Sequence, residues 1–179
     1  MKKKTIILGI TGGIAAYKSC DLINSLRRKS HEVICVITDE AEQFITPLTL
    51  ETLSGNKVYK DMFALPEKRD VVHVSLAQKA DIIVICPATA NIIAKLASGL
   101  CDNLLLSVVL SSTAPVLIAP AMNDNMYRHK ITQNNIRELK KIGYKFIDPT
   151  VGHLACGYTG LGHLADLKEI VKRIEKISK

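Results

Sequence analysis

The chain has 179 residues, 47% apolar and 23% charged, enough for one domain with a buried core and too short to expect two. Its longest apolar stretches, at 82–86 and 115–119, are strand-sized and far short of a membrane span. The net charge of +7 sits at the two ends and on helix faces without interleaved aromatics, and Trp is absent, which favours a solvated surface over a nucleic-acid patch.

"KKKTIILGITGGIAAYK", from Lys2, has two readings. Three lysines before an apolar run could begin a secretory signal peptide. That run spans only 5–10, however, and no A-x-A-like cleavage site follows it. The five cysteines (20, 35, 86, 101 and 156) are odd in number and irregularly spaced, with no C-x-x-C pair. They therefore fit reduced thiols in the cytoplasm better than an exported disulfide framework. The other reading is a buried strand over 5–10 that breaks at Gly12-Gly13 into a helix over 14–28. Leu22, Ile23 and Leu26 share one side of that helix, and its last turn is basic.

EVICVIT (32–38) is a second strand, followed by a helical segment through Phe44 and by TPLTLETLSG, which Gly55 closes. Residues 56–70 read as a loop with a short strand. ADIIVICPATAN holds an apolar strand at 82–86 stopped by Pro87, and APVLIAPAMN repeats the design at 116–119 before Pro120. Both strands are apolar enough to be buried on two faces, as parallel sheets require. A helix over 132–142 ends at Gly143, and YKFI is a short strand. Leu167, Ile170, Val171 and Ile174 then recur at helical steps behind an Asp166/Glu169 capping pattern.

Strands alternating with helices predict an α/β fold over 1–179: a doubly wound parallel sheet in a Rossmann-like or flavodoxin-like three-layer sandwich. In such sheets ligands bind beyond the carboxyl ends of the strands. Those ends are TGG (11–13), Thr38, PATAN (87–91) and PAMN (120–123), which should converge on one rim. The first loop lacks G-x-G-x-x-G spacing and no acidic residue crowns the second strand, so a mononucleotide fits better than a dinucleotide. Gly12-Gly13 either offers N–H groups to a phosphate or merely turns the chain. Asn91 and Asn123 either contact the ligand or cap helices.

Several blocks carry a family resemblance: GITGGIAAYK at 9–18, ITPLTLETLSG at 45–55, and His73 ahead of LAQKADIIVICPATANIIAKLASGLCDNLL at 76–105. PAMNDNM at 120–126 and ACGYTGLGHLA at 155–165 continue it. Through them nearly the whole chain resembles the flavin-dependent cysteine decarboxylases, most of all the branch acting on the phosphorylated pantothenoyl–cysteine conjugate of coenzyme A biosynthesis. The resemblance implies FMN against Thr11, Gly12, Gly13, Ile14, Thr38, Thr89, Ala90, Asn91 and Ile92, with Ala121 close by. It makes His73 the active-site histidine and Asn123 the holder of the substrate carboxylate, with Met122 and Ala155 beside the substrate. It makes Cys156, on a flexible flap, the late proton donor, and it implies a homotrimer, with a dodecamer as the higher assembly. Because the chain ends after one helix, a separate synthetase is expected to supply the substrate.

The implied chemistry suits these residue types. A cysteine carboxylate loses CO2 poorly, because its carbanion has nowhere to delocalise. Oxidation of the thiol-bearing carbon to a thioaldehyde lets decarboxylation yield a delocalised enethiolate, and return of the hydride and a proton restores the redox balance. Imidazole and thiol are both suited to proton transfer near neutral pH.

The chain departs from the family at Tyr158, where an acidic residue is usual, and at His163-Leu164, where Arg-Met is usual. Ile92 replaces a Thr and Tyr127 a Trp. The flap changes bear on how substrate is gripped, and a His at 163 makes phosphate binding pH-dependent where Arg does not. Two other functions compete: a peptidyl-cysteine decarboxylase of peptide maturation, generally without the flap cysteine, and a non-catalytic flavoprotein subunit. The joint presence of His73, Asn123 and Cys156 favours the enzyme. A metal site at His153, Cys156 and His163 lacks a fourth ligand.

Overall fold

A computed structural model describes residues 3–64, 71–153, 155 and 157–177. Five parallel strands, β1 (Thr5–Ile10), β2 (Glu32–Ile37), β3 (Ile82–Ala88), β4 (Val116–Pro120) and β5 (Lys145–Phe146), pair in the order β2-β1-β3-β4-β5. Alternation along each strand supplies both faces of the core. Ile6, Leu8, Ile10, Val33, Cys35, Ile82, Val84 and Leu117 pack to one side. Ile7, Ile34, Val36, Ile83, Ile85, Val116 and Ile118 pack to the other. The doubly wound α/β expectation is met.

A 3-10 turn, Ile14–Lys18, leads into α1 (Ser19–Arg28). With α3 (Pro47–Ser54) and α9 (Leu167–Lys176), α1 covers the first face. α4 (Val72–Lys79), α5 (Ala90–Ala97), α6 (Leu104–Ser111) and α8 (Lys130–Lys141) cover the second. Short α2 (Asp39–Glu42) and α7 (Asp124–Arg128) follow the ends of β2 and β4. Gly55 ends α3 at φ 67° and Gly143 follows α8 at φ 98°, left-handed positions that favour glycine. Asp166 caps α9 by accepting from Lys168 N–H at 2.7 Å.

Three features differ from expectation. β3 and β4 include the prolines meant to stop them. A proline lacks only the donor: Pro87 C=O still accepts from the Thr11 hydroxyl at 2.8 Å, and the next carbonyl of β3, Ala88 C=O, takes Ala121 N–H at 3.0 Å just beyond Pro120. Helices α4, α6 and α7 carry no clear apolar period, α7 because it is five residues long and α6 because it is apolar nearly all round. Finally, β6 (Thr150–His153) and β7 (Thr159–His163) form an antiparallel hairpin where only a flexible flap was expected.

Candidate functional site

Because β3 lies beside β1 while β2 lies on β1's other side, the chain reverses direction across the sheet between β1 and β3. This is the topological switch point at which doubly wound sheets bind ligands. A cavity of about 550 Å³ opens there. Its floor comes from residues 12–15 after β1, Pro87, Thr89 and Ala90 at the end of β3, and 121–123 after β4, and the β6–β7 hairpin closes it from above.

Thr11 brackets the floor. It is 2% exposed, donates to Pro87 C=O at 2.8 Å and accepts from Thr89 N–H at 3.0 Å. Its one hydroxyl proton is thus already used, and it supports the rim from beneath. Gly12 is required for close packing, since a Cβ there would lie 2.3 Å from Glu40 Cβ and 2.8 Å from Glu40 backbone carbon. Beside Gly13 a Cβ would meet only Thr89 Cγ2, at 3.9 Å, so this position has room on the cavity side. Thr89 caps α5 by accepting from Ile92 N–H at 3.2 Å.

The structure therefore brings Gly12, Gly13, Ile14, Thr89, Ala90, Ala121, Met122, Asn123 and Ala155 onto one cavity. Thr38, 5% exposed, caps α2 by accepting from Ala41 N–H at 3.4 Å and is not among the described lining residues. Asn91 is exposed on α5, Ile92 is a core residue at 2% exposure, and neither lines the cavity. His73 stands half-buried on α4, which packs against α6, and is likewise outside the lining of this single chain. Cys156 falls outside the described residues.

Asn123 does both things its sequence position allowed. Its Oδ1 accepts from Asn125 N–H at 2.9 Å and Met126 N–H at 3.4 Å, capping α7. Its Nδ2 donates to the Tyr158 hydroxyl at 3.0 Å. The hairpin docks on the same loop through Met122 N–H to Gly162 C=O at 3.1 Å. Gly162 has to be glycine there, because a Cβ would sit 2.0 Å from Met122 O.

Lys18 was not singled out from the sequence. It stands three residues beyond Ala15, which also lines the cavity, and in a 3-10 turn side chains at i and i+3 share a side. Its Nζ lies 3.0 Å from His163 Nε2, and His163 Nδ1 lies 3.0 Å from Leu164 O. The second contact makes Nδ1 the protonated nitrogen and leaves Nε2 to accept from the ammonium. No Asp or Glu is among the described lining residues, so Lys18 is the only fully charged side chain in the described wall.

Small and apolar side chains around one cation, beside backbone N–H groups at the start of a helical turn, fit a flat ring carrying an anionic tail. The cavity also has the size of a cofactor site. Fold and site together define a mononucleotide-binding flavoprotein. The Flavoprotein family model matches residues 1–179, and the chain belongs to that family. A "Probable phosphopantothenoylcysteine decarboxylase" of Streptococcus mutans is 45% identical over 175 residues, covering 97% of this chain and 98% of the relative. The "Coenzyme A biosynthesis bifunctional protein" of Bacillus subtilis is 43% identical over 176 residues, 98% of this chain; the chain spans 43% of that relative's length. Among solved structures, a PPC decarboxylase cysteine-to-serine mutant complexed with pantothenoylaminoethenethiol superposes with a TM-score of 0.89 at 31% identity, covering 97% of both chains. "The FMN binding protein AtHal3" superposes at 0.85 with 32% identity, covering 97% of this chain and 96% of that one.

Proposed function

We propose that this chain is an FMN-dependent carboxy-lyase that converts 4′-phosphopantothenoylcysteine to 4′-phosphopantetheine in coenzyme A biosynthesis. One observation carries the reading: the loops after β1, β3 and β4 and the β6–β7 hairpin converge on a single cavity at the sheet's switch point. When bound, the flavin supplies a reversible hydride acceptor for the thiol-bearing carbon of the substrate.

The chain's own residues bind, orient and protonate. Gly12 to Ile14 and Thr89 to Ala90 line the floor on which the cofactor lies, while Thr11 holds that floor from below and Thr38 caps α2. The Asn123 amide donates to the substrate carboxylate and so exchanges its contact with Tyr158 for one with the substrate. Met122 and Ala155 bound the substrate's path. Cys156 returns the proton to the enethiolate after CO2 has left.

His73 lies outside this chain's cavity, so we propose that a second copy presents it across an interface of a homotrimer. The protein is proposed to work in the cytoplasm, with a separate synthetase supplying its substrate. Among the described residues no helix is long and apolar enough to cross a membrane.

The purified protein should be yellow and release CO2 from 4′-phosphopantothenoylcysteine. A colourless protein that takes up no FMN ends this reading. His73→Gln should remove CO2 release with flavin retained, whereas Cys156→Ser should release CO2 and accumulate the enethiol. Light scattering should report a trimer; a flavin-loaded monomer refutes the shared site.

A further inference from the structure

Helix α7 and the roof hairpin are joined at two places. At the start of β7, the Tyr158 hydroxyl accepts from Asn123 Nδ2 at 3.0 Å. At the root of the hairpin, the Tyr127 hydroxyl donates to Asp148 Oδ1 at 3.1 Å, and β6 begins two residues beyond Asp148.

Five residues form too little helix to hold themselves, so what α7 packs on sets its orientation. Tyr127, 8% exposed, is its buried anchor, with the ring in the second face of the core. Its backbone is held from both sides: its N–H donates to Asn123 C=O at 3.0 Å, and its C=O accepts from Gln133 Nε2 of α8 at 2.6 Å. The Asp124–Arg128 ion pair is internal to α7 and does not orient it.

Ring packing tolerates small rotations of a helix, whereas a hydrogen bond is directional. Asp148 is a well-held partner for one. Ile147 before it donates its N–H to Ile118 C=O of β4 at 2.9 Å, Pro149 after it is buried, and Lys140 Nζ of α8 stands 3.6 Å from its Oδ1. A hydroxyl on a carboxylate makes a charge-assisted bond, stronger than a neutral one. Burial and the neighbouring Asp148 push the Tyr127 hydroxyl up to about 12, so it stays a donor through the neutral range. Asn123 and Tyr127 are spaced i, i+4 and share a side of the helix. Because Asn123 Oδ1 is committed to the N–H groups of Asn125 and Met126, the direction of its Nδ2 follows α7 as a unit.

We propose that Tyr127, through its hydrogen bond to Asp148, is a positioning residue that orients α7 and so aims the Asn123 amide at the substrate carboxylate; this deepens the function proposed above and rests on it. The aim matters to a ligand that carries the carboxylate. 4′-Phosphopantothenoylcysteine carries it, and 4′-phosphopantetheine has lost it as CO2. A bond that merely steadied the fold would serve both alike.

Steady-state kinetics on the FMN-loaded protein separate the two roles. Tyr127→Phe keeps the ring and should lower kcat/KM about fivefold, while the inhibition constant of 4′-phosphopantetheine stays within about twofold of the parent value. Asp148→Ala should match it, and the double variant should be no worse than either. Asp148→Asn keeps an acceptor oxygen and should restore the parent kcat/KM. Asn123→Ser keeps a capping oxygen without the amide, and on that background Tyr127→Phe should add less than about a twofold loss. With asparagine labelled for NMR, the Asn123 side-chain amide resonances of the ligand-free protein should move in Tyr127→Phe and Asp148→Ala but not in Asp148→Asn.

Equal weakening of substrate and product overturns the proposal, as does a parent-like kcat/KM in Tyr127→Phe. Asp148 is exposed, so its Ala and Asn variants decide the matter should Tyr127→Phe lose flavin. Amide resonances that move as expected in a protein that does not decarboxylate 4′-phosphopantothenoylcysteine refute the proposed function alone. A decarboxylase whose Asn123 resonances and substrate-over-product preference ignore both residues refutes the positioning role alone.

Discussion

The floor and the roof of the cavity are built on different principles. In the floor, polar groups satisfy one another: Thr11 ties Pro87 to Thr89, Ser19 donates to Cys86 C=O at 3.1 Å, and Gly12 packs against α2. The roof is a two-stranded hairpin with Val151 68% exposed, a size that is marginal by itself in water. It is held by the Tyr158–Asn123 and His163–Lys18 side-chain contacts and by the backbone contact of Gly162 with Met122. A ligand can replace either side-chain contact, but not the bracket under the floor. A flavoprotein of this kind thus separates a permanent seat from a closure that its ligand can compete for.

Substitutions in the floor should therefore act on folding, and those in the roof on ligand binding. The largest effect is expected at Gly12→Ala, where the added methyl meets α2 backbone; a loss of about 3 kcal/mol in denaturant unfolding, with loss of flavin, is expected. Next, Thr11→Val leaves Pro87 C=O and Thr89 N–H without their partner and should cost about 2 kcal/mol, with flavin released at lower temperature. Raising the pH tests the floor without mutation. Burial pushes the Cys35 and Cys86 thiols from 9.0 up to about 12. The unfolded thiols ionise from pH 9 while the folded ones stay neutral, so stability that is complete below pH 9 is lost as pH rises towards 12. By pH 10 the loss should be about 1.4 kcal/mol per thiol.

Roof changes should leave the unfolding midpoint nearly in place. Gly162→Ala forces β7 off Met122 and should weaken product binding by about tenfold, or about 1.4 kcal/mol. Tyr158→Phe removes one hydroxyl contact and is expected to change affinity by about fivefold or less. A Tyr158→Phe protein that unfolds several degrees early would show the roof to be part of the core, and the contrast would fail.

Much of the floor was legible because it follows from strand order. Apolar runs at 5–10, 82–86 and 116–119 announce buried parallel strands, and their ends must share an edge. What sequence could not reveal is which polar side chains are already occupied. Thr11 and Thr38 look like ligand contacts by position, yet their hydroxyls serve the backbone. Ile92, one turn into α5, belongs to the core. The hairpin was hidden for another reason: TVGH and TGLGH have too few apolar residues for a period-2 signal, and pairing depends on glycines that admit the neighbouring chain. Lys18 was missed because its partner lies 145 residues away, where no local pattern reaches.

One contact holds the opposite pole together. The Lys4 ammonium, just before β1, donates to the carbonyls of Ile174 at 3.0 Å and Ile177 at 2.5 Å, at the end of α9. The first strand and the last helix are thereby stitched together at the amino ends of the strands, about 20 Å from the cavity mouth by the six-residue length of β1. Lys4 and Ile177 thus both lie at the pole away from the cavity mouth. Lys4→Met should accordingly loosen the end of α9 while leaving ligand binding at the cavity unchanged.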